Sequence, residues 1–202
     1  IVVHVISNVK FAFKAKNAGV DAIVAEGFEA GGHNGIEELT TFCLIPLIRK
    51  YIDLPLIAAG GIGSGETMLA AMILGAEGVQ IGSRFVLSKE SSAHINFKKA
   101  IIDSKEGDTI LTLKEITPVR MLKNSFYKKI EDAYLQNKST EELKKILGRG
   151  RAKKGMFEGD LESGELEIGQ IAAYLNEIKS AKQIVEEIME DFYLKRNQIN
   201  EL

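Results

Sequence analysis

The stretch Pro55-Leu56-Ile57-Ala58-Ala59-Gly60-Gly61-Ile62-Gly63-Ser64-Gly65 decides the fold. Its first five residues are small or apolar with no polar alternation, the pattern of a strand buried on both faces. The glycines that follow predict a tight loop, and residues 66–74 predict a helix ended by Gly75. The same unit recurs on either side. Upstream, residues 21–25 read as a strand, 27–35 as a glycine-rich loop, and 40–51 as a helix with Leu44, Leu47 and Ile48 as its apolar stripe. Before these come a strand at 1–6 and a helix at 8–18 closed by Gly19. Downstream, 78–81 reads as a fourth strand, Gly82-Ser83-Arg84-Phe85 as its exit, and 89–103 as a helix. Four strand–helix units in succession predict a parallel α/β sheet, either doubly wound or an arc of a (β/α)8 barrel. Four units make half a barrel.

Beyond residue 103 the pattern changes. Residues 124–137, 140–147, 167–177 and 181–195 read as helices, with a turn-rich stretch at 155–164. The expected organisation is therefore a half-barrel over 1–103 and a mostly helical extension over 104–202 packed on it. The sequence opens at Ile1 inside an apolar run, which predicts that an N-terminal portion of the barrel is missing.

Composition narrows the function. The chain has 202 residues, 45% of them hydrophobic and 27% charged, with a formal net charge of −2. That balance is globular and argues against a nucleic-acid-binding protein, which would carry a basic face. A single cysteine, Cys43, excludes an internal disulfide, suits a reducing, cytoplasmic setting, and reads as a buried helix residue. No apolar run is long enough to span a bilayer, and no signal peptide opens the chain.

Each glycine cluster falls at the C-terminal end of a strand, the side on which parallel α/β folds bind ligands. Glycine lets backbone N–H groups approach an anion, and a helix start adds its positive dipole end. Gly60 and Gly61 after one strand, with Gly82 and Ser83 after the next, therefore read as two halves of one phosphate cradle. His33, among glycines just past a strand end, suits acid–base work. His4, inside an apolar strand, reads as a core or rim residue, and His94 as a surface residue near a helix start. The three histidines and Cys43 have no metal-site spacing. The basic run Arg149-Gly150-Arg151-Ala152-Lys153-Lys154 reads as a solvated face, with an acidic partner as the alternative.

Three ordered motifs carry a family resemblance: Ala25-Glu26-Gly27-Phe28-Glu29-Ala30-Gly31-Gly32-His33-Asn34-Gly35, then Ala58-Ala59-Gly60-Gly61-Ile62, then Gly78-Val79-Gln80-Ile81-Gly82-Ser83-Arg84-Phe85. Together they resemble the FMN-dependent nitronate monooxygenase (2-nitropropane dioxygenase) and enoyl-ACP reductase II superfamily. Val119-Arg120-Met121-Leu122-Lys123-Asn124 and Ile168-Gly169-Gln170-Ile171-Ala172 resemble the reductase branch. The resemblance implies a (β/α)8 TIM barrel with FMN at its C-terminal mouth, and an oxidoreductase. It places the FMN phosphate on Gly60, Gly61, Gly82 and Ser83, with Ala59 and Gln80 lining the same strand ends. It puts His33 near the flavin ring as the catalytic group, with Glu29, Gly31 and Gly32 near the substrate. That substrate is an alkyl nitronate or nitroalkane oxidised with O2, or an acyl-carrier-protein enoyl thioester reduced with NAD(P)H. A homodimer is the assembly considered. Two rival readings stay open: a barrel enzyme that binds a phosphorylated metabolite without flavin, and a non-catalytic fragment.

Overall fold

Apolar strands that begin and end at glycines give a regular alternation in the computed structural model, which describes residues 1–199. The elements are β1 (Val3–Ile6), α1 (Val9–Asn17), β2 (Ala22–Glu26), β3 (Gly32–His33), α2 (Thr41–Arg49), β4 (Leu56–Ala59), α3 (Gly65–Ile73), β5 (Gly78–Gln80), the short α4 (Ser83–Val86), α5 (Ile95–Ile102), β6 (Thr109–Thr112), β7 (Val119–Leu122), α6 (Ser125–Leu135), α7 (Thr140–Leu147) and α8 (Ala181–Ile199).

Strands β1, β2, β4 and β5 form one parallel sheet in that order, with Val24 opposite Ile57 and Ala58 opposite Val79. Each new strand joins on the same side as the last. A doubly wound sheet reverses its order at a switch point, so the barrel arc is the correct alternative. Helices α1 and α2 cover the outer face. Ala12, Ala15, Leu44, Ile45 and Ile48 meet Ile23, Ala25, Leu56 and Ala58 in one buried cluster. Helix starts are fixed by side-chain caps: Asn8 accepts from the Phe11 amide at 2.8 Å, and Ser64 forms a reciprocal capping box with Thr67. Such caps contribute about 1 kcal/mol each, and here they set where the strand-end loops stop.

The edge strand β1 is open to solvent. Val3, His4 and Val5 are all exposed along it. Cys43 corrects an expectation as well. It lies on the exposed face of α2, because Thr41, Leu44, Ile45 and Ile48 turn inward.

The second half departs further from the helical extension read in the sequence. A second, antiparallel sheet has the order β3-β7-β6, with Gly32 opposite Arg120, His33 opposite Val119, and Leu111 opposite Arg120. Residues 104–124 are thus a strand pair closed onto a two-residue strand from the first half. Met121 also bridges Glu167 in antiparallel fashion, and the Leu122 amide donates to the Leu166 carbonyl at 2.9 Å. The expected helix at 167–177 is therefore an extended segment followed by a 3-10 turn at Gln170–Tyr174. The expected helix at 89–103 shrinks to α5, whose N-cap is His94.

Alternation along β7 separates two cores. Val119 and Met121 pack with Phe126 and Ile130 of α6, while Leu122 joins Phe97, Ile101, Leu166 and Ile168. Helix α8 closes on α3 so tightly that a Cβ on Gly65 would lie 2.1 Å from the Phe192 amide nitrogen.

Candidate functional site

The C-terminal ends of β2, β4 and β5 converge on a cavity of about 200 Å³. Eight of the residues singled out in the sequence line it: Glu29, Gly31, Ala59, Gly60, Gly61, Gln80, Gly82 and Ser83. Gly60 and Gly61 turn the chain out of β4 with φ of +96° and +70°, values that a side chain would strain. A Cβ on Gly60 would also sit 2.7 Å from the Gly27 carbonyl oxygen, so the β2 and β4 exits are in backbone contact there. Across the cavity, α4 begins at Gly82 with no side-chain cap, which leaves its first amides without intrahelical acceptors. A Cβ on Gly82 would meet nothing within 4 Å.

Glu29 is held by its carboxylate at the start of α2. Both oxygens accept from the Thr41 amide at 3.0 Å, and the Thr41 hydroxyl lies 3.1 Å away. The positive end of α2 favours that charge. The same hydroxyl is 2.8 Å from the Gly60 carbonyl oxygen, so Thr41 ties the two glycine loops together.

The far wall comes from the second half of the chain. Glu167, Ile168, Ile171 and Met156 line the cavity. The Gly169 amide donates to Ser83 Oγ at 3.0 Å, and the Gln170 amide donates to the Glu29 carbonyl at 2.9 Å. Gly31 permits this closure, since a Cβ there would lie 2.4 Å from the Ile168 backbone. Among the described residues the Ser83 hydroxyl donates to no protein acceptor, so its proton is available to the cavity.

Two predicted residues stand outside the lining. Gly32 is buried with φ +77°, and a Cβ on it would be 2.7 Å from Glu167 Oε2. His33, next to it in β3, is exposed. Arg120, opposite Gly32, is 2% exposed and anchors this loop. Its Nε donates to the Phe28 carbonyl at 3.0 Å, and its guanidinium lies 4.9 Å from the Phe28 ring centroid. Among the described residues its Nη2 has no partner. Burial pulls the Arg120 pKa down, against the opposing charges of Glu29 and Glu38.

Sequence reading missed Glu26, Met156, Glu167 and Ile171 as lining residues. Burial raises the Glu26 pKa. Burial also raises that of Glu167, against the lowering effect of His33. Behind Glu167, Glu165 is 7% exposed, and its pKa is pushed up to about 7 by burial and by the Glu167 charge, with Arg151 opposing. The alternation Glu165-Leu166-Glu167-Ile168 was the available signal: it has the period of a strand that turns two acids to one face. Arg149, Lys153 and Lys154 of the basic run are exposed, as a solvated face requires. Arg151 donates to the Leu147 and Ser163 carbonyls, and Lys153 and Lys154 pair with Glu158 and Asp160. Among the described residues no cluster of His, Cys, Asp or Glu is placed to hold a metal, and no helix is long and apolar enough to cross a membrane.

Fold and site together define a βα-barrel protein with a ligand cavity at the C-terminal mouth of its strands. The model of the nitronate monooxygenase family matches residues 1–191, and the chain belongs to that family. It is 41% identical over 157 residues to a probable nitronate monooxygenase of Staphylococcus saprophyticus, covering 69% of this chain and 44% of that protein. Among solved structures, FabK from Thermotoga maritima superposes with a TM-score of 0.92 at 39% identity, over 98% of this chain and 63% of that one. Nitroalkane oxidase from Streptomyces ansochromogenes superposes with a TM-score of 0.79 at 27% identity, over 98% and 58%. The chain thus spans less than half the length of that curated relative and about three fifths of the two solved ones.

Proposed function

We propose that this chain is the phosphate-binding part of an FMN-dependent oxidoreductase acting on alkyl nitronates or nitroalkanes. The observation that carries the reading is the convergence of both glycine loops, from β4 and from β5, on one cavity. The donor set fits FMN: uncapped amides at the start of α4, the free Ser83 hydroxyl proton, and open space above Gly82. The cavity is smaller than the roughly 300–1,000 Å³ of a typical small-molecule site, which suits the phosphate and sugar-alcohol end of the cofactor. The carboxylates in its wall fit as well. Glu29 is turned onto the Thr41 amide and hydroxyl at the start of α2, and burial raises the pKa values of Glu26 and Glu167.

When bound, FMN supplies the redox chemistry. The protein's own part is to hold the phosphate on Gly60, Gly61, Gly82 and Ser83 and to line the strand ends with Ala59 and Gln80. Ile168 and Ile171 exclude water from the far wall. His33 exchanges protons at the rim, with Glu29, Gly31 and Gly32 near the substrate. A second reading, reduction of an acyl-carrier-protein enoyl thioester by NAD(P)H, is supported by the higher identity to FabK than to nitroalkane oxidase.

Anaerobic bleaching of the visible flavin band in the intact protein tests both. Bleaching by an alkyl nitronate alone supports the first reading, and rapid bleaching by NADH or NADPH supports the second. A colourless protein that takes up no added FMN would overturn both. His33→Ala should lower turnover more than flavin retention; equal loss would remove His33 from the chemistry.

A further inference from the structure

We infer that Arg120 is a positioning residue for His33: from outside the cavity lining, its guanidinium sets the loop from Phe28 to His33 and so fixes where the imidazole stands. The inference rests on the reading of His33 as the group that exchanges protons at the rim.

His33 has little of its own to hold it. β3 is two residues long, and it pairs with β7. Gly32 stands opposite Arg120 and His33 opposite Val119, and the Asn34 amide donates to the Pro118 carbonyl at 2.9 Å. These backbone ties hold the end of the loop. The Arg120 side chain holds its start. Nε donates to the Phe28 carbonyl at 3.0 Å, and the guanidinium lies 4.9 Å from the Phe28 ring centroid. Between the two ends the chain folds on itself. The Ala30 amide donates to the Gly27 carbonyl at 3.1 Å, and Asn34 Nδ2 donates to the Ala30 and Gly32 carbonyls at 3.0 Å. Arg120 alone faces both ends: its backbone lies opposite Gly32 and its side chain meets Phe28.

Packing alone does not call for an arginine here. Arg120 is 2% exposed in the central strand of its sheet, between β3 and β6. Its Nη1 is 3.4 Å from Thr109 Oγ1, and its Nη2 has no partner among the described residues. The carboxylates of Glu29 and Glu38 act on it through their charge, without a direct hydrogen bond. A buried cation with open donors is costly, and an apolar side chain of similar volume is often as stable or more so. What the guanidinium adds is geometry. Its planar fork bonds a carbonyl and stacks on an aromatic ring at once, which an ammonium cannot do. Both of those contacts fall on Phe28, at the root of the loop that carries His33.

Two measurements test this, on Arg120→Met, which keeps most of the volume and drops the charge, and on Arg120→Lys, which keeps the charge and drops the fork. The first is made on the intact, ligand-free protein. Both variants should shift the His33 imidazole ¹H–¹⁵N resonances and speed exchange of the Asn34 amide about 10-fold, while amides of β2 and β4 keep their protection. His33 resonances that stay in place in both variants would overturn the inference. The second is a double-mutant cycle on turnover. Each variant alone should lower kcat about 100-fold, with KM and flavin retention little changed. In a His33→Ala background neither should cost anything further, because the group they position is gone. Losses that multiply would mean that Arg120 supports the fold at large, and would overturn the inference. If Arg120→Met does not fold, Arg120→Lys carries both measurements. An unaltered protein without turnover overturns the functional reading and the chemistry of His33 with it, whereas unmoved His33 resonances in a protein that turns over overturn this inference alone.

Discussion

The parallel arc and the antiparallel sheet are held together by different kinds of pairing. In the arc each strand lies beside the next one along the chain, and the intervening helix packs on the pair. In the antiparallel sheet β3 from the first glycine loop pairs with β7 from far downstream, and the Glu167 segment joins later still. Local contacts form at low loop-closure cost, whereas distant ones must be matched by tertiary packing. The arc is therefore the framework, and the antiparallel sheet with the Glu165–Ile171 segment is a cover whose order depends on it.

The largest expected effect tests the framework. Leu56, fully buried in the centre of the arc, should cost about 2–5 kcal/mol on Leu56→Ala, read as a fall in the urea midpoint for the whole chain. If amides of β7 stayed protected while those of β2 exchanged freely, the dependence would run the other way. Gly31→Ala comes next. Its Cβ must displace the Ile168 backbone, at a cost of about 1–3 kcal/mol. Flavin retention should fall about 10-fold, while protection of the β2 and β4 amides stays as before.

The cover should also respond to pH on its own. The Glu165 pKa is raised from 4.5 to about 7 on folding, so the folded state holds this proton more tightly. The stabilisation is complete below pH 4.5 and is lost as pH rises through about 7. Opening of the cover, read by exchange of the Leu122 amide after correction for the intrinsic rate, should become easier across that window. The change is on the order of 1–2 kcal/mol, and Glu165→Gln should flatten it. The smallest effect belongs to the ion pair between Lys114, just after β6, and Glu38, in the loop before α2. Both are half-exposed, so Lys114→Ala should cost less than about 1 kcal/mol and change flavin retention little. A larger loss would mean that the two regions are joined at the surface as well as through the cavity.

The arc was legible because its signals are local. A run such as Leu56-Ile57-Ala58-Ala59 followed by glycines announces a buried strand and a strand-end loop with no knowledge of its neighbours. The lining residues Gly60, Gly61, Gly82 and Ser83 were legible for the same reason. β3 was not, because Gly32 and His33 have no strand propensity of their own and acquire strand geometry only from Val119 and Arg120. Glu167 was hidden differently. Its segment lies among turn residues and charges, and its place in the cavity wall depends on a fold that brings its carboxylate next to Gly32. The helices expected at 89–103 and 167–177 failed where Ser91-Ser92 and Gly169 interrupt otherwise helical composition.

One feature of β3 reaches beyond its two residues. Its partner is β7 of the cover and not a strand of the arc, so His33 travels with the antiparallel sheet, as does Glu167 through its bridge to Met121. A displacement of that sheet would carry both side chains away from the glycine loops at the ends of β4 and β5. One wall of the cavity and His33 thus hang from a single sheet, and neither can shift relative to the arc without the other.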